Sequence, residues 1–283
     1  MKQTTLLTIT ANSIFERREL TMKKTLLALM SATLLSYQAN ATVVEIQTNM
    51  GSITVNLFDE DTPETVENFL SYVNSGAYAN NVVHRLEPDF VMQAGGYTYN
   101  SALPLDTVPR GQPVVNEPVL SNVRGTIAMA KLSGDPDSAT SEWFINIDDN
   151  SDNLDVQNSG FTVFGQVIGD GMDIVDEIND LPRFNLGGAA SSTPLINYSQ
   201  ADASNGVEPD EENFVLITDI VITDASTVTN PDLNPTPNTS QGGGDSGGST
   251  PPSGSGSSGG AMSPLALLGF GLSVLFFRRR RNA

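Results

Sequence analysis

Seven short apolar stretches, each cut off by turn-forming residues, leave this chain few ways to fold. VVEIQTNMGSITVNLF (43–58) alternates apolar and polar residues on both sides of Asn49-Met50-Gly51, which predicts a β-hairpin. Further β-rich stretches lie at 82–86, 90–94, 125–130, 143–147 and 161–168, separated by clusters of Gly, Pro, Asn and Asp, and NFVLITDIVIT (213–223) supplies a last strand able to close the sheet. That spacing favours a closed antiparallel barrel or a sandwich over alternating strands and helices.

Two helices punctuate the strands. DTPETVENFLSYVNSG (61–76) offers Thr62 as N-cap, Pro63 at the first helical position and Glu64 in the first turn, with Val66, Phe69, Leu70 and Val73 on one face and Gly76 as the stop. A second helix is predicted over 172–179, after Gly171. The stretch 182–212 is polar and glycine-rich and reads as a long surface insertion.

Both ends differ in composition from this middle. MKKTLLALMSATLLSYQANA (22–41) has two lysines, an apolar run and the small-x-small end Ala39-Asn40-Ala41, the pattern of a secretory signal peptide cleaved after Ala41. Residues 1–21 are polar and charged, contain nothing such a signal needs, and read as an extension from a start codon placed too early. Residues 225–260 are rich in Gly, Ser, Pro and Thr, the composition of a flexible linker. Residues 261–283 join an apolar run to Arg278, Arg279, Arg280 and Arg281. The run is short for the roughly 20 residues of a spanning helix, and the arginines should keep the end cytoplasmic with the domain outside.

The tail resembles the glycine-glycine C-terminal sorting signals of Gram-negative bacteria, through Gly259-Gly260, an apolar segment broken by Gly269 and Gly271, and the arginine cluster. That resemblance implies a rhomboid-type protease as partner, cutting near the glycines. It also implies a final location in the periplasm, at the cell surface or in the medium; a permanent tail anchor is the alternative.

The domain expected between the ends, 42–224, has five cations against 29 acidic side chains, so nucleic acid is a poor partner. The chain has no cysteine, which removes thiol catalysis and cysteine metal sites from consideration. A monomer is the default expectation.

Five blocks stand in order within 43–224: TPETVENF, VVHRLEPDFVMQAGG, NEP followed by RGTIAMA, DSATSEWFINI, and FTVFGQVIGDGMDIVDEI. On these blocks the chain resembles the cyclophilins, which are peptidyl-prolyl cis-trans isomerases, and above all their bacterial periplasmic type. The resemblance implies an all-β fold, an eight-stranded antiparallel β-barrel capped by two α-helices. It implies proline-containing polypeptides as substrates and no metal or organic cofactor. Carried over residue by residue, it makes Arg85 the catalytic arginine and Gln93 the glutamine that binds the substrate backbone and helps to position Arg85. It makes Phe90, Val91, Met129, Phe144 and Leu154 the pocket for the proline ring, with Phe161 beside them. Ala130 would line the groove, and the backbone at Lys131 would pair with the peptide.

Departures from the family pattern are informative. Val83 stands where Phe is common, Val91 replaces a pocket methionine, Asn153 stands where many members have Trp or Phe, and Phe161 keeps the ring of a His or Tyr without its hydrogen bond. Glu142 replaces a glutamine and brings a carboxylate near the groove, where it could pair with Arg85 or disfavour acidic peptides. These changes suggest weak activity, and a peptide-binding or chaperone module with little turnover is the alternative reading. His84, the only histidine, reads as a packed structural residue because prolyl rotation transfers no proton. DDNSDNLD (148–155) has acids and amides at a spacing near that of a calcium loop, lacks the central Gly and final Glu, and reads as an acidic surface loop.

Overall fold

The computed structural model describes residues 42–226, 229–230 and 232–240. The expected signal peptide, the extension before it, most of the linker and the apolar tail lie outside the described residues. β1 (Val43–Thr48) and β2 (Gly51–Leu57) form the predicted hairpin. After α1 (Pro63–Asn74) come β3 (Asn81–Val82), β4 (Arg85–Glu87), β5 (Val91–Ala94), β6 (Tyr97–Thr98) and β7 (Asp106–Thr107). β8 (Thr126–Met129) and β9 (Trp143–Asn146) precede the single turn α2 (Ser151–Leu154). β10 (Val163–Ile168) and α3 (Gly171–Asn179) follow, then β11 (Arg183–Phe184), β12 (Thr193–Pro194), α4 (Gln200–Ser204) and β13 (Leu216–Asp224).

One sheet runs in the order β4-β5-β9-β8-β10-β2-β1-β13-β3-β6-β7. Its first eight strands are the eight expected of the barrel, and three two-residue strands extend them. β3 and β4 are sequence neighbours yet stand ninth and first in that order, so the sheet must curl until its ends approach each other. Val83 N donates to Val215 O at 3.1 Å across the closing gap.

Alternation along the strands decides what fills the curl. Ile46, Ile53, Met92, Ile127, Trp143 and Phe164 are each at most 1 % exposed and share one core. α1 adds Phe69 to it, and α3 adds Val175 and Ile178. Each such side chain contributes about 1.5–3 kcal/mol when fully buried. Thr62 stands at the N-cap of α1 without capping it: its hydroxyl donates to Phe58 O at 3.3 Å. Glu117 takes over from a distant loop, its Oε2 accepting from Thr65 N at 2.9 Å and Thr65 Oγ1 at 2.7 Å. A carboxylate there satisfies amides the helix cannot pair and meets the positive end of its dipole.

The expected surface insertion anchors itself on a small core shared with the sheet. Leu195, Tyr198 and Phe214 pack with Val82 and Leu216, and a capping box between Ser199 and Asp202 starts α4. The insertion also braces β4: Leu86 N donates to Ser192 O at 2.8 Å, Ser192 Oγ to Leu86 O at 2.7 Å, and Thr193 Oγ1 to His84 O at 2.9 Å.

The expected linker needs a similar correction at its start, because 229–230 and 232–240 lie along the domain as a strap. Asn230 Nδ2 donates to Asn56 Oδ1 at 2.9 Å, Ser121 N to Thr236 O at 2.8 Å, and Asn238 N to Val119 O at 2.8 Å. Leu233 packs on an apolar cluster that includes Phe58, Leu120 and Val163. Among the described residues no helix is long and apolar enough to cross a membrane.

Candidate active site

Strand register puts the expected catalytic residues in one row. Arg85 pairs with Gln93, Gln93 with Phe144, and Phe144 with Ala128 across β4, β5, β9 and β8. The period of two turns this row to the outer face while Met92, Trp143 and Ile127 fill the barrel. A cation, an amide and an aromatic ring are therefore aligned on a rigid surface.

Arg85 Nη1 donates to Gln93 Oε1 at 3.2 Å, and Arg85 Nη2 stands 3.3 Å from Glu87 Oε1. Burial lowers the guanidinium from its ordinary pKa, against the charge and hydrogen bond of Glu87, which raise it. Arginine starts so high that it stays a cation at neutral pH. Gln93 Nε2 donates in turn to Glu142 Oε2 at 2.9 Å. Glu142 is thus the next link of the chain and does not pair with Arg85 itself. Its Oε2 lies 3.5 Å from His84 Nε2, and its Oε1 lies 3.7 Å from Arg110 Nη2. Burial pushes the Glu142 carboxyl up, but His84, the Gln93 amide and Arg110 outweigh it and leave the carboxyl below its ordinary value. His84 is 1 % exposed and sits edge-on to Tyr97 at 4.8 Å, packed as expected.

The apolar members of the site come together with one exception. Val91, Phe144, Leu154 and Phe161 form a cluster with Phe90 and Ala130 at its margin, and the Phe144 and Phe161 rings meet edge-on at 5.8 Å. Met129 is not among them. It pairs with Trp143 and belongs to the barrel core, because its neighbour Ala128 already takes the outward position. Val91, Phe144 and Leu154 are fully buried, so the surface this cluster offers is that of the half-exposed Phe90 and Ala130. Lys131, expected to act through its backbone, brings its side chain to the cluster. The ammonium donates to Asn158 O at 3.0 Å and Gly160 O at 2.5 Å and lies 4.8 Å from the centre of the Phe161 ring.

The polar support beneath the cluster escaped sequence reading. Asn150 Nδ2 donates to Phe90 O at 2.9 Å and Asn146 Oδ1 at 2.8 Å, and Asn122 Nδ2 donates to Phe161 O at 3.1 Å and Asp155 Oδ1 at 3.0 Å. Asn150 and Asp155 are thus interior parts of the stretch expected to be an acidic surface loop, 8 % and 3 % exposed respectively. The asparagine ending WFIN was the available signal, since a polar residue closing an apolar strand needs a buried partner.

Comparison with known proteins places this geometry in a class. The family model for cyclophilin-type peptidyl-prolyl cis-trans isomerases matches residues 43–197. The chain belongs to that family, and its reaction is the cis-trans rotation of X-Pro bonds in polypeptides. It is 39% identical over 170 residues to a peptidyl-prolyl cis-trans isomerase of Acinetobacter baylyi, covering 59% of this chain and 87% of that protein. It is 39% identical over 142 residues to peptidyl-prolyl cis-trans isomerase B of Escherichia coli, covering 48% of this chain and 83% of that one. A crystal structure of a Cryptosporidium parvum cyclophilin-type isomerase aligns over 65% of this chain and 98% of its own, with 21% identity and a TM-score of 0.47.

Proposed function

We propose that this chain is an exported isomerase that speeds prolyl rotation in polypeptides outside the cytoplasm, with Arg85 as the group that lowers the barrier. The observation that carries the reading is the Arg85 guanidinium, held at 3.2 Å by Gln93, whose partner on the next strand is Phe144 of the apolar cluster. Amide resonance sets a barrier of roughly 20 kcal/mol, and no bond has to break for it to fall. When the amide twists, the proline nitrogen becomes pyramidal and recovers its lone pair. A donor aimed at that nitrogen binds the twisted state better than the planar one, which is the condition for acceleration. Gln93 holds the guanidinium and meets the substrate backbone, while the ring rests against the apolar cluster.

The signal-like segment 22–41 supports export. Gly259-Gly260 and the apolar, arginine-ended tail support a rhomboid-type protease as partner, with transient anchoring in the inner membrane before release to the periplasm, surface or medium. Burial of Val91, Phe144 and Leu154 favours a slow enzyme whose binding role is prominent.

The test measures exchange between cis and trans X-Pro peptide with full-length protein, alongside mass spectrometry of the mature ends. Catalysed exchange is expected, with an N-terminus at Thr42 and a C-terminus near Gly260. Binding without acceleration would support the chaperone reading, and an intact chain from Met1 to Ala283 would contradict export with tail processing.

A further inference from the structure

We infer that Glu142 is a positioning residue: its carboxylate fixes which way round the Gln93 amide stands and so aims the Arg85 guanidinium. The inference rests on the isomerase reading of the site and adds a third member to it.

The oxygen and nitrogen ends of a glutamine amide are nearly the same size, so shape alone does not choose between the two orientations. The neighbours choose. Arg85 can only donate, and an ionised carboxylate can only accept. With Oε1 toward Arg85 at 3.2 Å and Nε2 toward Glu142 at 2.9 Å, both contacts match. Rotating the amide by half a turn would set donor against donor and acceptor against acceptor. Gln93 is 8 % exposed, which leaves water little room to relieve either mismatch.

The carboxylate is itself held. Ala130 N donates to Glu142 O at 2.9 Å and anchors the backbone just before β9. His84 Nε2 and Arg110 Nη2 flank its two oxygens at 3.5 and 3.7 Å. His84 Nδ1 is buried with no hydrogen-bond partner among the described residues, and Nε2 is the ring nitrogen that faces Glu142. Gly96 makes the space, since a Cβ there would stand 2.7 Å from Glu142 Cδ. The only histidine and the second glycine of the AGG stretch thereby gain a shared role: they seat the carboxylate that seats the glutamine.

The test is a double-mutant cycle in the full chain, read as kcat/KM for an X-Pro peptide. Glu142→Leu should lower kcat/KM about tenfold, the scale of a misaimed group, and Glu142→Gln, which keeps an oxygen acceptor, should stay within about threefold of wild type. In a Gln93→Ala background Glu142→Leu should change the rate by less than about twofold, because the residue it acts through is gone. The same loss with and without Gln93, or equal losses for Glu142→Gln and Glu142→Leu, would overturn the inference. NMR of the Gln93 side-chain amide gives a readout that needs no turnover. Its protons should shift in Glu142→Leu but hold in Glu142→Gln, and a Glu142→Leu spectrum matching wild type would also overturn it. Absent acceleration by wild-type protein would instead count against the isomerase reading, with the amide shift still deciding the positioning claim.

Discussion

At the scale of single residues, protonation makes the site's energetics measurable. The Glu142 carboxyl is lower in the folded protein than its ordinary 4.5. Its contribution is therefore present above that value and is lost as pH falls through the depressed folded one. The stability gap between wild type and Glu142→Gln should close on acidification, followed by urea midpoints; a gap independent of pH would refute the assignment. Lys131 is lowered as well, but because burial disfavours its charged form: desolvation, partly offset by Asp137, takes it from 10.5 to about 8. The unfolded chain holds that proton longer, so wild type should gain stability over Lys131→Met as pH rises from about 8 to 10.5. A flat difference across that window would mean that the ammonium is solvated.

At the scale of elements, two segments act through contacts far away in sequence. Glu117→Ala removes the acceptor for Thr65 N at the start of α1 and should cost about 1 kcal/mol, as a lost cap does. The strap makes the domain end later than its composition suggests. A fragment 42–240 should unfold at higher temperature than a fragment 42–224, and Leu233→Ala alone should cost about 1 kcal/mol. Equal melting of the two fragments would show the strap to be an ornament. The strands, α1 and α3 were legible because periodic burial writes itself into apolar spacing. The strap was not: one leucine and three prolines form no period, and its partners, Asn56 and the backbone of 119–121, lie more than a hundred residues earlier. The contacts of the insertion were illegible for a related reason, since Leu195 and Tyr198 share no repeat and meet Phe214, which follows the insertion, only across its loops.

At the scale of the whole molecule, charge and closure set the terms. Twenty-nine acids against five cations over 42–224 make the folded state repel itself, and salt screens that repulsion within about 10 Å at 0.1 M and 3 Å at 1 M. The melting temperature should rise by a few degrees over that salt range in calorimetry; a fall would mean that attractive ion pairs such as Arg124–Asp176 dominate. The antiparallel pairing of neighbouring β4 and β5 sets Arg85 beside Gln93, and closure joins the edge that carries them to Val215 at the far end of the sheet. Family motifs were sufficient to name that pair and most of the apolar cluster. They misplaced Met129, whose direction depends on which of two adjacent strand residues faces out. They offered Arg85 as a partner for Glu142 and missed the actual ones, because its contacts with Gln93, His84 and Arg110 join three separate stretches of chain.

The central claim is that one guanidinium stabilises the twisted prolyl amide. Its most direct test is kcat/KM for X-Pro isomerisation by the Arg85→Ala protein, with melting temperature as the control for folding. A fall of about 10²-fold or more in a protein that still melts cooperatively is predicted. A folded Arg85→Ala protein as fast as wild type would contradict it.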